Sequence, residues 1–200
     1  MEPEGPSELE KTSEGGQAGQ NGIAQNKISP PKINGDKYWM PFKLAIKTQN
    51  SKLIETALDS LQKLMAFHLM RGASTIYRGD TQIKLIDEMI EVICSCFVGA
   101  KTEESIQLQI IKALLTAITS PLCEIHGDTL IKAIQTCFSI FLLSKNIVNQ
   151  ITAKASLTQI VNLIFQRMEK HAASHSKDLS EKYFFFFFLQ LIQFIQSINY

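Results

Sequence analysis

The sequence predicts an all-α fold over most of its length. Apolar residues recur at i, i+3, i+4 and i+7 in one segment after another, and glycine or proline stands between the segments. No segment sustains a period-2 alternation, so essentially no sheet is expected. With 45% apolar residues, the 200-residue chain has enough material for one core plus tails.

Residues 1–36 stand apart. They hold six of the ten glycines, four of the six prolines and no aromatic residue. Such a segment buries too little apolar surface to offset its ordering entropy, and a disordered N-terminal segment is predicted, with Ser29-Pro30-Pro31 as stiff linker. Helices begin at about residue 37. Pro41 suits a first helical turn, and Phe42, Ala45 and Ile46 form a short stripe behind it. Ser51 is placed to cap the next helix, whose stripe is Ile54, Ala57, Leu58, Leu61, Leu64, Met65, His68 and Leu69. Arg71–Asp80, with Gly72 and Gly79, reads as a loop.

Ile86, Met89, Ile90, Ile93, Cys94 and Phe97 mark a third helix, stopped at Gly99 in a left-handed conformation. Thr102 is expected as the following N-cap, with Glu103 and Glu104 complementing the helix dipole. That helix carries Ile106, Ile110, Ile111, Leu114, Leu115 and Ile118, and Pro121 prevents its continuation. Asp128 is expected to cap a helix with Leu130, Ile131, Ile134, Cys137, Phe138 and Phe141. The last helix carries Ala153, Leu157, Ile160, Val161, Ile164, Phe165 and Met168. From Thr102 to about Gln150 the two-helix period is near 48, close to the ~40–47 of armadillo and HEAT arrays. An armadillo- or HEAT-like, right-handed stack of helix pairs follows, with a plain helical bundle as the competing architecture.

Twenty Lys and Arg against 19 Asp and Glu leave a net charge of +1, which argues against a nucleic-acid binder. The four cysteines, at 94, 96, 123 and 137, lack the framework of a small secreted domain and read as free thiols. The acidic N-terminus has no apolar stretch of the signal-peptide kind. The longest apolar run, Tyr183–Ile198, contains three Gln and falls short of a membrane span. A soluble intracellular protein is expected.

No catalytic constellation emerges. Cys94 and Cys96 point about 200° apart on a helix and do not chelate one ion together. Cys123 and His126 have a metal-like spacing but no second pair, and His171 and His175 read as surface residues. There is no phosphate-cradling loop and no nucleophile elbow, so neither a cofactor nor a metal is expected. A protein without such a site works by presenting surfaces.

The candidate partner-binding residues are Tyr38, Trp39, Phe42, Asn146 and Asn149. Aromatics are favoured at interface cores, although closing the open end of the stack explains Tyr38, Trp39 and Phe42 better. Asn146 and Asn149 lie in a polar link between two helices, where helix-stop and N-cap duties account for them equally well.

Several stretches go beyond pattern. Asp59–Leu64 (DSLQKL), Lys84–Phe97 (KLIDEMIEVICSCF) and Gln107–Ser120 (QLQIIKALLTAITS) resemble one family closely. So do Glu124-Ile-His126, Ser144-Lys-Asn146, Thr152–Ala155 and Arg167-Met-Glu169. They resemble the N-terminal dimerisation and cyclophilin-binding domain of the large, brefeldin-A-inhibited guanine-nucleotide exchange factors for Arf GTPases, over about residues 36–170. The resemblance implies a regulatory, armadillo-like domain over 37–170 in a cytoplasmic protein that cycles onto trans-Golgi and endosomal membranes. It further implies self-association as a homodimer, packing against a downstream helical region, and recruitment by an Arf-like small GTPase. Cyclophilin is a partner in part of the family, and membrane contact is indirect.

The family's catalytic exchange domain is not in this sequence, so the chain is expected not to be an enzyme. The alternative function is a stand-alone helical-repeat adaptor or truncated isoform without a link to exchange activity. Residues 1–36 stand where the family usually has helices. Residues 171–200 are a linker and an atypical tail, whose YFFFFFLQLIQFIQSINY has no recognised family counterpart. Five consecutive Phe suggest a translated pyrimidine-rich stretch such as a retained intron. A membrane-binding helix would carry Lys or Arg, which Tyr183–Tyr200 lacks.

Overall fold

The structure is a computed structural model that describes residues 33–174. A short 3-10 turn, Gly35–Tyr38, leads into α1 (Trp39–Lys47) and α2 (Ser51–Ala66). Two strands follow, β1 (Thr75–Arg78) and β2 (Thr81–Lys84), and then α3 (Leu85–Ser95), α4 (Glu104–Thr119), α5 (Gly127–Leu143) and α6 (Ile147–Ser174). The predicted all-α character therefore holds, apart from one hairpin.

That hairpin corrects the expectation of a loop at Arg71–Asp80 and of no sheet. Thr75 pairs with Lys84, Ile76 with Ile83, Tyr77 with Gln82 and Arg78 with Thr81. Gly79, at φ +61°, opens the two-residue turn. Thr, Ile and Tyr favour the pleated conformation, but each strand turns only one half-buried residue, Ile76 or Ile83, inward. Four residues with one inward position cannot display an alternation.

The helix starts also shift. Asn50, not Ser51, caps α2, its side-chain oxygen accepting from the Lys52 and Leu53 amides at 3.0 and 3.2 Å. The α2 stripe stops at Ala66, because His68 adopts φ +59° and the amides of Leu69 and Met70 both return to the Leu64 carbonyl. Thr102 does not cap α4. Its hydroxyl accepts from the Val98 amide at 2.8 Å and closes the preceding loop, while Glu103 holds the cap position without a side-chain bond. Asp128 lies inside the first turn of α5, and His126 takes the cap position. Gly99 has the expected positive φ, +89°.

Alternate helices pack on one another. α2 lies on α4 and α4 on α6, while α3 lies on α5, and α5 packs against α6. This gives one layer of α2, α4 and α6 beside another of α3 and α5. Leu58, Leu61, Met65, Met89, Ile90, Ile93, Ile110, Ile111, Leu114, Cys137 and Ile140 are fully buried between them. Each such aliphatic contributes roughly 1.5–3 kcal/mol relative to exposure. Gln62 donates across the α2–α4 contact to the Thr116 hydroxyl at 3.1 Å.

Candidate interaction surface

Two buried carboxylates fix the N-terminal edge. Asp36 accepts from the Arg71 and Gly72 amides at 2.8 and 2.9 Å and from the Ser74 amide and hydroxyl at 3.3 and 3.1 Å. Burial pushes its pKa upward, but the four hydrogen bonds outweigh burial and hold the carboxyl below its ordinary value. The 3-10 turn is thereby bound to the α2–β1 loop. Gly35 adds a 2.7 Å bond from its amide to the Leu69 carbonyl, so close that a Cβ would stand 2.6 Å from that oxygen.

Glu88 on α3 does the same for α1. It accepts from the Trp39 indole N–H at 2.6 Å and from the Lys43 ammonium at 2.6 Å. Burial again opposes ionisation, and the Lys43 and Trp39 hydrogen bonds overcome it, so the carboxyl sits below its ordinary range. Trp39 is only 4% exposed and belongs to the core. Phe42 is half-buried against that core, whereas Tyr38, at 54%, lies open with Lys37 stacked 4.9 Å over its ring. Met40 and Leu44 extend this exposed edge.

Asn146 and Asn149 work at the other end. Asn146 caps α6, its side-chain oxygen accepting from the Val148 and Asn149 amides at 2.8 and 3.2 Å. Its amide donates to Glu104 at 2.6 Å. Asn149 is buried and donates to the Glu104 carbonyl at 2.8 Å and to Gln107 at 3.4 Å, tying α6 to the first turn of α4. Arg167 caps the far end of the same helix, donating to the Ile118 carbonyl at 2.8 Å. The five candidate residues thus lie in two places, with Tyr38, Trp39 and Phe42 at the α1 edge and Asn146 and Asn149 at the α5–α6 turn.

Sequence reasoning missed Asp36 and Glu88 as anchors, since nothing in the chain marks which partners an isolated acid will meet. It also missed Leu142, Leu143, Ile147, Val148 and Ile151, all exposed around the α5–α6 turn. The available signal was LLSKNIV, a polar turn with large aliphatics on both sides.

All four cysteines are free thiols. Burial pushes Cys94 up to about 11 and Cys96 and Cys137 up to about 12, the reverse of an activated nucleophile. Among the described residues no group of three or more His, Cys, Asp or Glu is arranged to hold a metal ion, and Cys123–His126 gains no further ligand. A shallow cleft of about 450 Å³ between α4 and α6 is lined by Thr, Gln, Asn, Ala and Leu side chains, none of which titrates. The His171 side chain, His175, residues 1–32 and the Phe-rich tail lie outside the described residues. Among the described residues no helix is long and apolar enough to cross a membrane.

An array of helices with charged anchors inside and apolar side chains outside suits a domain that binds other proteins. Comparison with known families agrees: residues 7–172 match the Mon2/Sec7/BIG1-like dimerisation and cyclophilin-binding domain, known as DCB. The chain belongs to the DCB family. The match reaches well upstream of residue 36, so the family pattern extends into the Gly- and Pro-rich segment. Brefeldin A-inhibited guanine nucleotide-exchange protein 1 of rat is 48% identical over 150 residues, 75% of this chain and 8% of that protein. The human protein of the same name gives the same figures. The ADP-ribosylation factor guanine nucleotide-exchange factor sec71 of Schizosaccharomyces pombe is 35% identical over 140 residues, 70% of this chain and 8% of its own length. The DCB chain therefore spans less than a tenth of the relatives it matches.

Proposed function

We propose that this DCB chain is a regulatory and scaffolding module of an Arf guanine-nucleotide exchange factor in vesicle trafficking. In this reading it self-associates, packs on a downstream helical region of the exchange factor, and is recruited by a GTP-bound Arf-like GTPase. It acts from the cytoplasm at trans-Golgi and endosomal membranes, touching the bilayer only through its partners and binding no nucleic acid. Cyclophilin is a further partner, and the chain contributes no step of nucleotide exchange itself.

The observation that carries the reading is the DCB match over residues 7–172, with relatives named as exchange proteins. The surface supports it: Tyr38, Met40 and Leu44 stand open on an edge that Trp39 and Phe42 hold from behind. Asn146 and Asn149 position the second candidate contact by fixing the start of α6 on α4. Sedimentation of the full chain at tens of micromolar, and capture by immobilised Arf-like GTPases in their GTP and GDP forms, test it together. Concentration-dependent dimers and GTP-selective capture are expected. A monomer that no such GTPase retains would sink the proposal.

A further inference from the structure

Among the described residues, the turn between α5 and α6 carries an apolar ridge that no other residue covers. Leu142 and Leu143 end α5 at 41% and 46% exposure, and Ile147, Val148 and Ile151 begin α6 at 63%, 59% and 62%. Five large aliphatics are exposed within ten residues around one turn, and clustered exposed apolar side chains mark interfaces.

The turn is also rigid. Besides the two asparagines, the Ser144 hydroxyl accepts from the Asn146 amide at 3.2 Å, and the Gln150 amide group donates to the Ser144 carbonyl at 2.7 Å. A pre-ordered ridge loses little side-chain and loop freedom when it docks. Exposed charges of both signs lie near the ridge. Lys145 in the turn and Lys154 on α6 are exposed, as are Lys101, Glu103 and Glu104 before and at the start of α4, which Asn146 and Asn149 join to the ridge. An anionic lipid surface would attract the ammoniums but repel the Glu103 and Glu104 carboxylates. A second copy related by a two-fold axis would bring lysines to glutamates around a shared apolar centre, the self-complementarity an isologous dimer requires.

We propose that the α5–α6 ridge is the surface through which two copies of this chain associate. The proposal rests on the self-association reading above and gives it a place. Ile147 and Val148 are the central contacts, Leu142, Leu143 and Ile151 surround them, and the flanking charges set the orientation.

The test is sedimentation velocity of the full chain with Ile147→Asp and Val148→Asp combined. The dimer dissociation constant is expected to rise on the order of 100-fold, as for loss of central interface residues. Circular dichroism should stay unchanged, because both side chains are solvent-exposed in the single chain. Leu44→Asp, on the α1 edge, should leave the dimer intact. A rim test avoids apolar substitution altogether: Lys145→Glu with Lys154→Glu, and separately Glu103→Lys, each weaken self-association, and the two variants mixed form heterodimers.

A dimer that survives the double aspartate variant, or dissociates equally with Leu44→Asp, overturns the placement. So does capture of phosphatidylserine vesicles that the double variant loses while its dimer persists. A wild-type chain that is monomeric at tens of micromolar refutes self-association itself, a separate failure.

Discussion

Removing the Glu88 carboxylate should release α1 from α3 at a calculable cost. Glu88→Ala leaves the Trp39 indole N–H, now bonded at 2.6 Å in a residue 4% exposed, without an acceptor. A buried donor stripped of its partner costs about 1–3 kcal/mol. Lys43 loses its 2.6 Å ion pair, but its side chain is 21% exposed and partly rehydrates, which limits that loss to about 1 kcal/mol. The sum is about 3 kcal/mol. Glu88→Gln keeps an oxygen facing the indole and loses only the charge, for about 1 kcal/mol. Trp39 is the chain's one tryptophan, so its fluorescence reads this site alone. Urea unfolding followed by fluorescence and far-UV circular dichroism should rank wild type above Glu88→Gln and Glu88→Ala last, with red-shifted native emission only in the alanine variant. Both variants within about 0.5 kcal/mol of wild type, with unshifted emission, would refute the anchoring role.

Other perturbations separate backbone from side-chain effects. Gly72→Ala should cost about 3 kcal/mol or more in thermal unfolding, because φ is +68° and the new Cβ would stand 2.6 Å from Cα of Ile86. Gly79→Ala, at φ +61° with open space around it, should cost only about 1–2 kcal/mol. With thiol pKa values of about 11 for Cys94 and about 12 for Cys96 and Cys137, native protein at mildly alkaline pH should leave all three unreacted with a disulfide reagent, and urea should expose them. Asn149→Leu should destabilise by about 2 kcal/mol by removing the donors to the Glu104 carbonyl and Gln107, with loss of hydrogen-exchange protection in the first turns of α6.

What could be read in advance follows from range. The stripes of α2 to α6 were legible because helix burial repeats every three or four residues, and Met89, Ile90 and Ile93 or Ile110, Ile111 and Leu114 are the residues found fully buried. The hairpin was not, because two four-residue strands hide one isoleucine each. Caps fell one residue out at Ser51 and Thr102, where neighbouring Asn50 and Glu103 take the cap position and the hydroxyl of Thr102 serves a loop instead. The partners of Asp36 and Glu88 lie 35 or more residues away in sequence, beyond any local pattern. Among the surface candidates, the aromatic edge and the asparagine turn were visible as residues. Their division into buried Trp39 and Asn149 and exposed Tyr38 needed the packing.

The anchors at the two ends differ in chemistry, and acid should separate them. Asp36 and Glu88 are both held below their ordinary values of 3.8 and 4.5 in the folded protein. A carboxyl with a depressed folded pKa adds stability above its unfolded value, and that stability fades as pH falls through the unfolded value toward the folded one. Both groups clamp the same region, the 3-10 turn and α1 against the α2–β1 loop and α3. At the α4–α6 junction two bonds, from Asn149 and Arg167, end on main-chain carbonyls that do not titrate in this range, one ends on the Gln107 amide, and a single carboxylate, that of Glu104, accepts from Asn146. Acid titration from neutral pH should therefore shift Trp39 emission before helical circular dichroism is lost, with slowed exchange persisting longest in α4 and α6. Coincident fluorescence and dichroism transitions would mean that α1 does not come away separately, and the two carboxylates would then support the whole core rather than one edge. If the transitions separate, the edge bearing Tyr38, Met40 and Leu44 is the part of the domain whose attachment depends on charge.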